Sequence, residues 1–423
     1  MIVMNRAFLF LFFSLLVGRV CSQQLAGTLT LKEAEQRFLE RNLSIIAERY
    51  NIEIAQAQVL QAKLFENPVI SLEQNVYNRL NGKYFDFGKT GEAAVDIEQV
   101  INLAGQRNKQ VRLEKINKEI AEYQFEEVIR TLRQELNEKF VKVYFISKSI
   151  GVYIKEIDSL QALLRGMKIQ HEKGNISLME ISRLESMLFS LKKEKNEQEA
   201  DLLSTRGELN LLLNLPGDTQ LPLSLDEEVL QQLDLSKLSF VELKTLISER
   251  PDQKIARGNV NASRANLRLQ KSKAFPEFSI KGNYDRAGNF INNYFAIGVS
   301  FSVPIFNRNQ GNIKAARFSI QQAGVELEDA ANRADVQLFS TYTTLKNAIQ
   351  LYQSTNMDLE RNFEKLIAGV NENFARKNIS LLQFIDYYDS YKETCIQLYE
   401  IQKNVLIAID DLNAAVGHDV LSY

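Results

Sequence analysis

The chain has 423 residues, with 51 basic and 53 acidic side chains, so its charge gives no field that would draw nucleic acid. Six prolines and nineteen glycines are few for this length, which favours long uninterrupted elements over many short ones. The histidines, His171 and His418, lie far apart, and no Cys/His cluster has metal-ligand spacing.

At the N-terminus, Asn5-Arg6 precedes the apolar run Ala7 to Val17, followed by Val20-Cys21-Ser22. A basic start, a short apolar core and small residues at the end read as a secretory leader over 1–22, cleaved after Ser22. The run is too short to span a bilayer, which takes ~20 residues. Cys21 also admits a lipidated N-terminus, although Arg19 stands where such a signal carries a small or apolar residue. Without Cys21, Cys395 is left alone and no internal disulfide forms.

From Leu31 to Phe65 the pattern is helical with a break at Asn42, and Thr30 with Glu33 matches a capping box. At Pro68 the period changes to two. Ile70, Leu72 and Val76 alternate with Ser71, Glu73 and Asn75, and Ala93, Val95, Ile97 and Ile101 alternate with Ala94, Asp96, Glu98 and Asn102. The expected strands run over about 68–78 and 92–103, near the length of a tilted membrane-spanning strand. A helical period then holds from Gln106 to Glu172, ~100 Å at 1.5 Å per residue. After a turn at 173–178, a return helix runs from Ser177 to Asn214, and residues 216–238 form a linker to the second half of the chain.

The same order then recurs. Helices are expected over Phe240–Ile247 and from Pro251 to Ala274, strands over about 277–286 and 294–304, and a helix over Asn309–Arg376. A second turn at 376–381 precedes a return helix to Val416. Asn175-Ile176-Ser177 matches Asn378-Ile379-Ser380, Leu209-Asn210 matches Leu412-Asn413, and Ile101-Asn102-Leu103 lies opposite Pro304-Ile305-Phe306, each at an offset of 203. Pro68 and Pro276 stand 208 apart, which puts the slack between the strands. The chain thus divides into repeats at 23–215 and 239–423.

Four alternating strands in a secreted chain fit either a soluble sheet with one face on a core or a share of a transmembrane barrel. The polar face carries Ser, Gly, Asp, Glu, Lys and Asn, and the helices offer no globular core to cover a sheet. The barrel reading therefore leads. Four strands cannot close a barrel, so several chains must contribute. A helix of such length likewise needs partners along it.

Helix, strand pair and very long helical hairpin, repeated once, resemble the TolC-like outer-membrane efflux proteins over essentially all of the mature chain. Gln99 to Arg107, with Gly105-Gln106-Arg107, looks like the strand-to-helix junction of that family's heavy-metal (cation) efflux branch. The resemblance implies a mainly α fold with membrane β, a homotrimer, a twelve-stranded barrel embedded in outer-membrane lipid, and a periplasmic tunnel of long helices. Gly174, Asn175, Ile176, Ser177 and Leu178, with Asn378, Ile379, Ser380 and Leu381, would be tips docked by a periplasmic membrane-fusion adaptor. An inner-membrane pump of the RND type would supply the energy. The family's gate of two aspartates three residues apart falls on Gln383 and Asp386, with Asp389 one turn on. Glu180 and Arg183 occupy the equivalent places in the first tip, where they also fit an i,i+3 contact. The implied function is a passive exit duct for metal cations or small toxic molecules, with no catalytic residue, metal or cofactor. Two alternatives stay open: a periplasmic scaffold or adaptor without a pore, and the outer-membrane component of a type I protein secretion system.

Overall fold

A computed structural model describes residues 27–233, 238–287, 291–355 and 358–423, so the expected leader at 1–22 lies outside the described residues. In chain order the elements are β1 (Leu29–Thr30), α1 (Leu31–Arg41), α2 (Leu43–Lys63), β2 (Val69–Gln74), β3 (Tyr77–Asn78), β4 (Lys83–Tyr84) and β5 (Ala93–Ile101). There follow α3 (Gln106–Glu172), α4 (Leu178–Leu212), β6 (Leu223–Ser224), α5 (Val229–Gln232), α6 (Phe240–Leu246) and α7 (Pro251–Ser272). The chain ends with β7 (Glu277–Asp285), β8 (Tyr294–Ser302), α8 (Gln310–Ser354), α9 (Asp358–Ala375) and α10 (Leu381–Val416).

Two compact units emerge, and each takes segments from both halves of the sequence. One comprises Met1–Glu40, Lys139–Glu227 and Ile367–Tyr399; the other comprises Arg41–Glu138, Glu228–Leu366 and Glu400–Tyr423. The first holds both inter-helix turns. Its core is a continuous apolar cluster in which Leu160 of α3, Leu184 and Leu191 of α4, and Phe384 and Tyr388 of α10 are at most 1 % exposed. The segment expected only as a link contributes β6 to this unit, paired in parallel with β1.

The second unit holds a four-stranded antiparallel sheet in the order β2-β5-β7-β8. Register puts Ser71 beside Asp96, Asp96 beside Asn283, and Ser279 beside Ser300 on one face. The other face carries Ile70, Leu72, Ile97, Ile280, Phe295, Ile297, Val299 and Phe301, all exposed. Period-two patterning therefore produced two faces of opposite character.

Three details differ from the sequence expectation. The first strand stops at Gln74, because Tyr77 and Asn78 turn aside to pair with Tyr84 and Lys83 in a small hairpin. There, Asp86 accepts from the Asn81 and Asn78 amides, the Gly88 N–H and the Thr90 hydroxyl. Those donors, the Asn81 amide foremost, hold its carboxyl down at about 2. A Cβ at Gly91 would lie 1.6 Å from the Asp86 carbonyl oxygen, so only glycine lets the loop close here.

The helix expected over Asn309–Arg376 is interrupted at Thr355, whose backbone is extended. The hydroxyls of Ser354 and Thr355 both donate to the Leu351 carbonyl, a local competition with helix hydrogen bonding that periodicity does not register.

The offset of 203 holds for the turns but not for the strands. An odd offset would put the outward residues of β5 on the inward face of β8. Ile97 and Ile297 in fact lie on the same face, and the following helices, starting at Gln106 and Gln310, stand 204 apart. The one-residue slip is absorbed between strand and helix tip, as well as between strands.

Candidate functional site

Each inter-helix turn is built from two stacked motifs. At the first, the Asn175 N–H bonds the Gln170 carbonyl and the Gly174 N–H bonds His171, with Gly174 at φ +77°. This Schellman ending of α3 needs a left-handed residue, which glycine supplies without strain. At the second, the Asn378 N–H bonds Asn373 and the Lys377 N–H bonds Phe374, with Lys377 itself left-handed at φ 59°. A lysine there carries a penalty of about 1–2 kcal/mol that glycine avoids.

A capping box then opens each return helix. The Ser177 N–H and hydroxyl donate to Glu180 Oε2, and the Glu180 N–H returns a bond to Ser177 Oγ. Ser380 and Gln383 repeat that arrangement. Both gate candidates at this level are therefore engaged: Glu180 and Gln383 fasten the turns, and among the described residues Glu180 makes no i,i+3 ion pair with Arg183. Its carboxyl is held below the ordinary range by the Ser177 N–H. The spacing Ser-x-x-Glu and Ser-x-x-Gln carried that signal in the sequence.

Ile176 and Ile379 turn inward onto the common apolar cluster, Leu381 is buried, and Leu178, Met179 and Leu382 are exposed. Gly174, Asn175 and Asn378 are exposed beside them. The outer surface of each turn is thus polar backbone with one or two apolar side chains.

On α10, Asp386 is exposed, whereas Asp389 is half-buried, 3.9 Å from Lys392 Nζ. Burial raises the Asp389 carboxyl above the usual range, against the pull of Lys392. The two aspartates therefore differ in burial. Lys392 is 8 % exposed and donates to Glu194 Oε2 of α4 at 2.9 Å. One turn nearer the tip, Tyr388 donates to Asn371 Oδ1 of α9 at 2.7 Å and Ser159 Oγ of α3 lies 2.7 Å from the same hydroxyl. These bonds tie α9 and α10 to α3 and α4.

Glu156 of α3 lies within this cluster, 2 % exposed, and neither carboxylate oxygen has a hydrogen-bond partner. Burial pushes its pKa up to about 8; Lys392 opposes the shift, and Asp389 and Glu194 add to it. Neither Glu156 nor Lys392 stood out in the sequence. Their signal was position: Tyr153, Leu160, Leu164 and Met167 mark a buried stripe on which Glu156 falls at helical spacing.

On the sheet, Asn283 donates to Asp96 at 2.8 Å, Ser279 donates to Glu98 at 2.6 Å, and Lys281 pairs with Glu98 at 3.1 Å. The exposed apolar face is bounded by two cross-strand ring pairs, Phe278–Phe301 with centroids 5.0 Å apart and Tyr284–Phe295 at 4.7 Å. Six residues separate them along β7, about 20 Å of strand, close to the apolar band of an outer-membrane barrel and its flanking aromatic girdles. Among the described residues no helix is long and apolar enough to cross a membrane, and no group of acidic, His or Cys side chains could hold a metal ion.

A family model described as outer membrane efflux protein matches residues 35–215 and 243–418. The cobalt-zinc-cadmium resistance protein CzcC of Cupriavidus metallidurans is 21% identical over 378 residues, covering 88% of this chain and 85% of its own. The pyoverdine export outer membrane protein OpmQ of Pseudomonas aeruginosa is 22% identical over 237 residues, 54% of this chain, and the match spans about half of that protein, 48%. Among solved structures, the Campylobacter jejuni CmeC outer membrane channel superposes with a TM-score of 0.74 at 14% identity, covering 93% of this chain and 87% of its own.

Proposed function

The chain belongs to the outer membrane efflux protein family, and on that premise we propose that it is the outer-membrane exit duct of a tripartite efflux system. Three copies form a barrel in the outer membrane and a helical tunnel in the periplasm, and substrate passes without chemistry. The observation that carries this reading is the four-stranded sheet. Its outward face is apolar and bounded by aromatic pairs, its other face is polar, and the outer edges of β2 and β8 have no partner strand among the described residues. Soluble monomers rarely expose such an apolar patch, and the two open edges are places where further strands can pair.

The two turns form the periplasmic end. Leu178 and Leu382, standing out beside Asn175 and Asn378, give a membrane-fusion adaptor small apolar anchors on a rigid backbone. The inner-membrane pump behind it is of the RND type. Gating consists of parting the helices behind the tips, and Asp386, exposed on α10, is the charge that meets the permeant; Asp389 is its half-buried second. Metal cations are the substrate class favoured, because the match to CzcC runs along 88% of the chain. The polar face of the sheet supports it, with Glu73, Asp96, Glu98 and Asp285 against Lys281.

The test is conductance of the purified trimer in a planar bilayer, after showing that carbonate washing leaves it in the membrane. Asp386→Ala should raise conductance and weaken cation preference. Release by carbonate would replace the duct with a periplasmic scaffold, and an unchanged current would remove Asp386 from the gate.

A further inference from the structure

The four places where strand meets helix share a composition that transport does not require. Lys63 ends α2, and Phe65 follows at 76 % exposure. After β5, Leu103 is 36 % exposed and Arg107 opens α3. Lys273 follows α7, with Phe275 56 % exposed. After β8 come Phe306, 92 % exposed, and Arg308, also exposed. Each junction thus sets one cation within four residues of one exposed apolar side chain, with Lys-x-Phe ahead of the proline at both first-strand junctions.

The cations are placed rather than scattered. The Arg107 guanidinium lies over the Phe65 ring, 3.8 Å from its centroid, and donates to the Lys63 carbonyl, so two junctions are clasped together. Arg308 donates to the Ile305 carbonyl. None of the four cations meets a carboxylate in an ion pair among the described residues. Glu66 and Glu277 are the acids at this level, leaving an excess of positive charge. Phe65 and Arg107 also line a cleft of about 740 Å³ in which Arg107 and Lys273 face Glu66 and Glu277, so the excess of positive charge lies outside it, on Lys63 and Arg308. At each junction the apolar residue stands nearer the strand along the chain and the cation nearer the helix. This is the order expected of a surface that meets acyl chains and then phosphates.

We propose that these junctions form a basic and apolar collar that binds anionic phospholipid headgroups in the periplasm-facing leaflet. The proposal rests on the reading of the strands as membrane-spanning. The charge excess selects an anionic headgroup over a zwitterionic one, and the stacked arginine supplies planar donors for a phosphate. Its effect is to fix the depth and tilt at which the barrel sits.

The chain contains no tryptophan, so Phe306→Trp makes a single fluorescent reporter in the full-length trimer. The trimer is reconstituted into phosphatidylcholine vesicles containing equal mole fractions of either dibrominated phosphatidylglycerol or dibrominated phosphatidylcholine. The brominated anionic lipid should quench with roughly fivefold higher relative affinity. The preference should shrink in an Arg308→Gln background and at high salt. Strong quenching by both lipids without preference overturns the collar while leaving the membrane reading intact. Quenching by neither overturns both. If Phe306→Trp fails to assemble, Phe275→Trp reports on the same level of the fold with the same outcomes.

Discussion

At the scale of single residues, Glu156 is the group most out of keeping with its surroundings. A carboxyl buried without a hydrogen-bond partner is expensive when charged, which is why its pKa rises from 4.5 to about 8. Between those values the folded chain holds a proton that the unfolded chain has released, so stability falls as pH rises through that window. Below about 4.5 both states are protonated and the effect vanishes; above about 8 it is fully present. Glu156→Gln removes the charge and keeps the shape. It should leave the melting temperature at pH 5 nearly unchanged and raise it by several degrees at pH 8.5, as followed by circular dichroism of the detergent-solubilised trimer. An equal change at both pH values would mean that Glu156 is charged throughout. Lys392 is the group that tempers this effect, and its bond to Glu194 is the tie that a charged Glu156 would compete for.

At the scale of elements, the strands make the sharpest demand. Ile297 is 87 % exposed on the outward face of β8, and Ala296, its neighbour, points the other way. If that face meets lipid, Ile297→Lys costs about 2–4 kcal/mol near mid-membrane, and Ala296→Lys costs far less. The expected result is loss of membrane-inserted trimer for the first and retention for the second, read by heat-modifiable migration on gels. Equal yields would return the sheet to water.

This face was legible in advance because Phe295, Ile297, Val299 and Phe301 alternate without exception. The turns were legible too, since Asn-Ile-Ser recurs at a fixed offset. What stayed hidden has physical reasons. Glu180 and Gln383 look like free polar residues unless Ser177 and Ser380 are recognised as caps. The break at Thr355 arises from hydroxyls bonding back to Leu351, which leaves the apolar stripe undisturbed. Glu156 and Lys392 depend on partners that sequence distance conceals, about two hundred positions away or more.

At the scale of the whole molecule, the sheet carries its own template for assembly. Within the chain, β5 and β7 join the strand pair of one repeat to that of the other, with Ile101 opposite Phe278 and Gln99 opposite Ile280. Between copies, β8 must meet the neighbour's β2 in the same sense. The first strands of the repeats match at an offset of 208, which puts Leu72 in the place of Ile280. The second strands match only at an even offset, which puts Val299, Phe301 or Val303 opposite Leu72. A cysteine at Leu72 paired in turn with one at each of these three positions should give a covalent trimer on mild oxidation for one combination. If none cross-links, the two edges do not meet.

The two open edges also govern how the chain comes to exist at all. A helix satisfies its own backbone wherever it forms, so the long hairpins can wait in solution with their turns already capped. The sheet cannot, because β2 and β8 stay unsatisfied until two more copies arrive. Insertion and trimerisation are therefore a single event, and a solitary newly exported chain has no stable place in the bilayer. Channel formation should then depend steeply on the supply of chains. A cell that makes too few would accumulate idle helices rather than leaky half-barrels, a failure that leaves the membrane sealed.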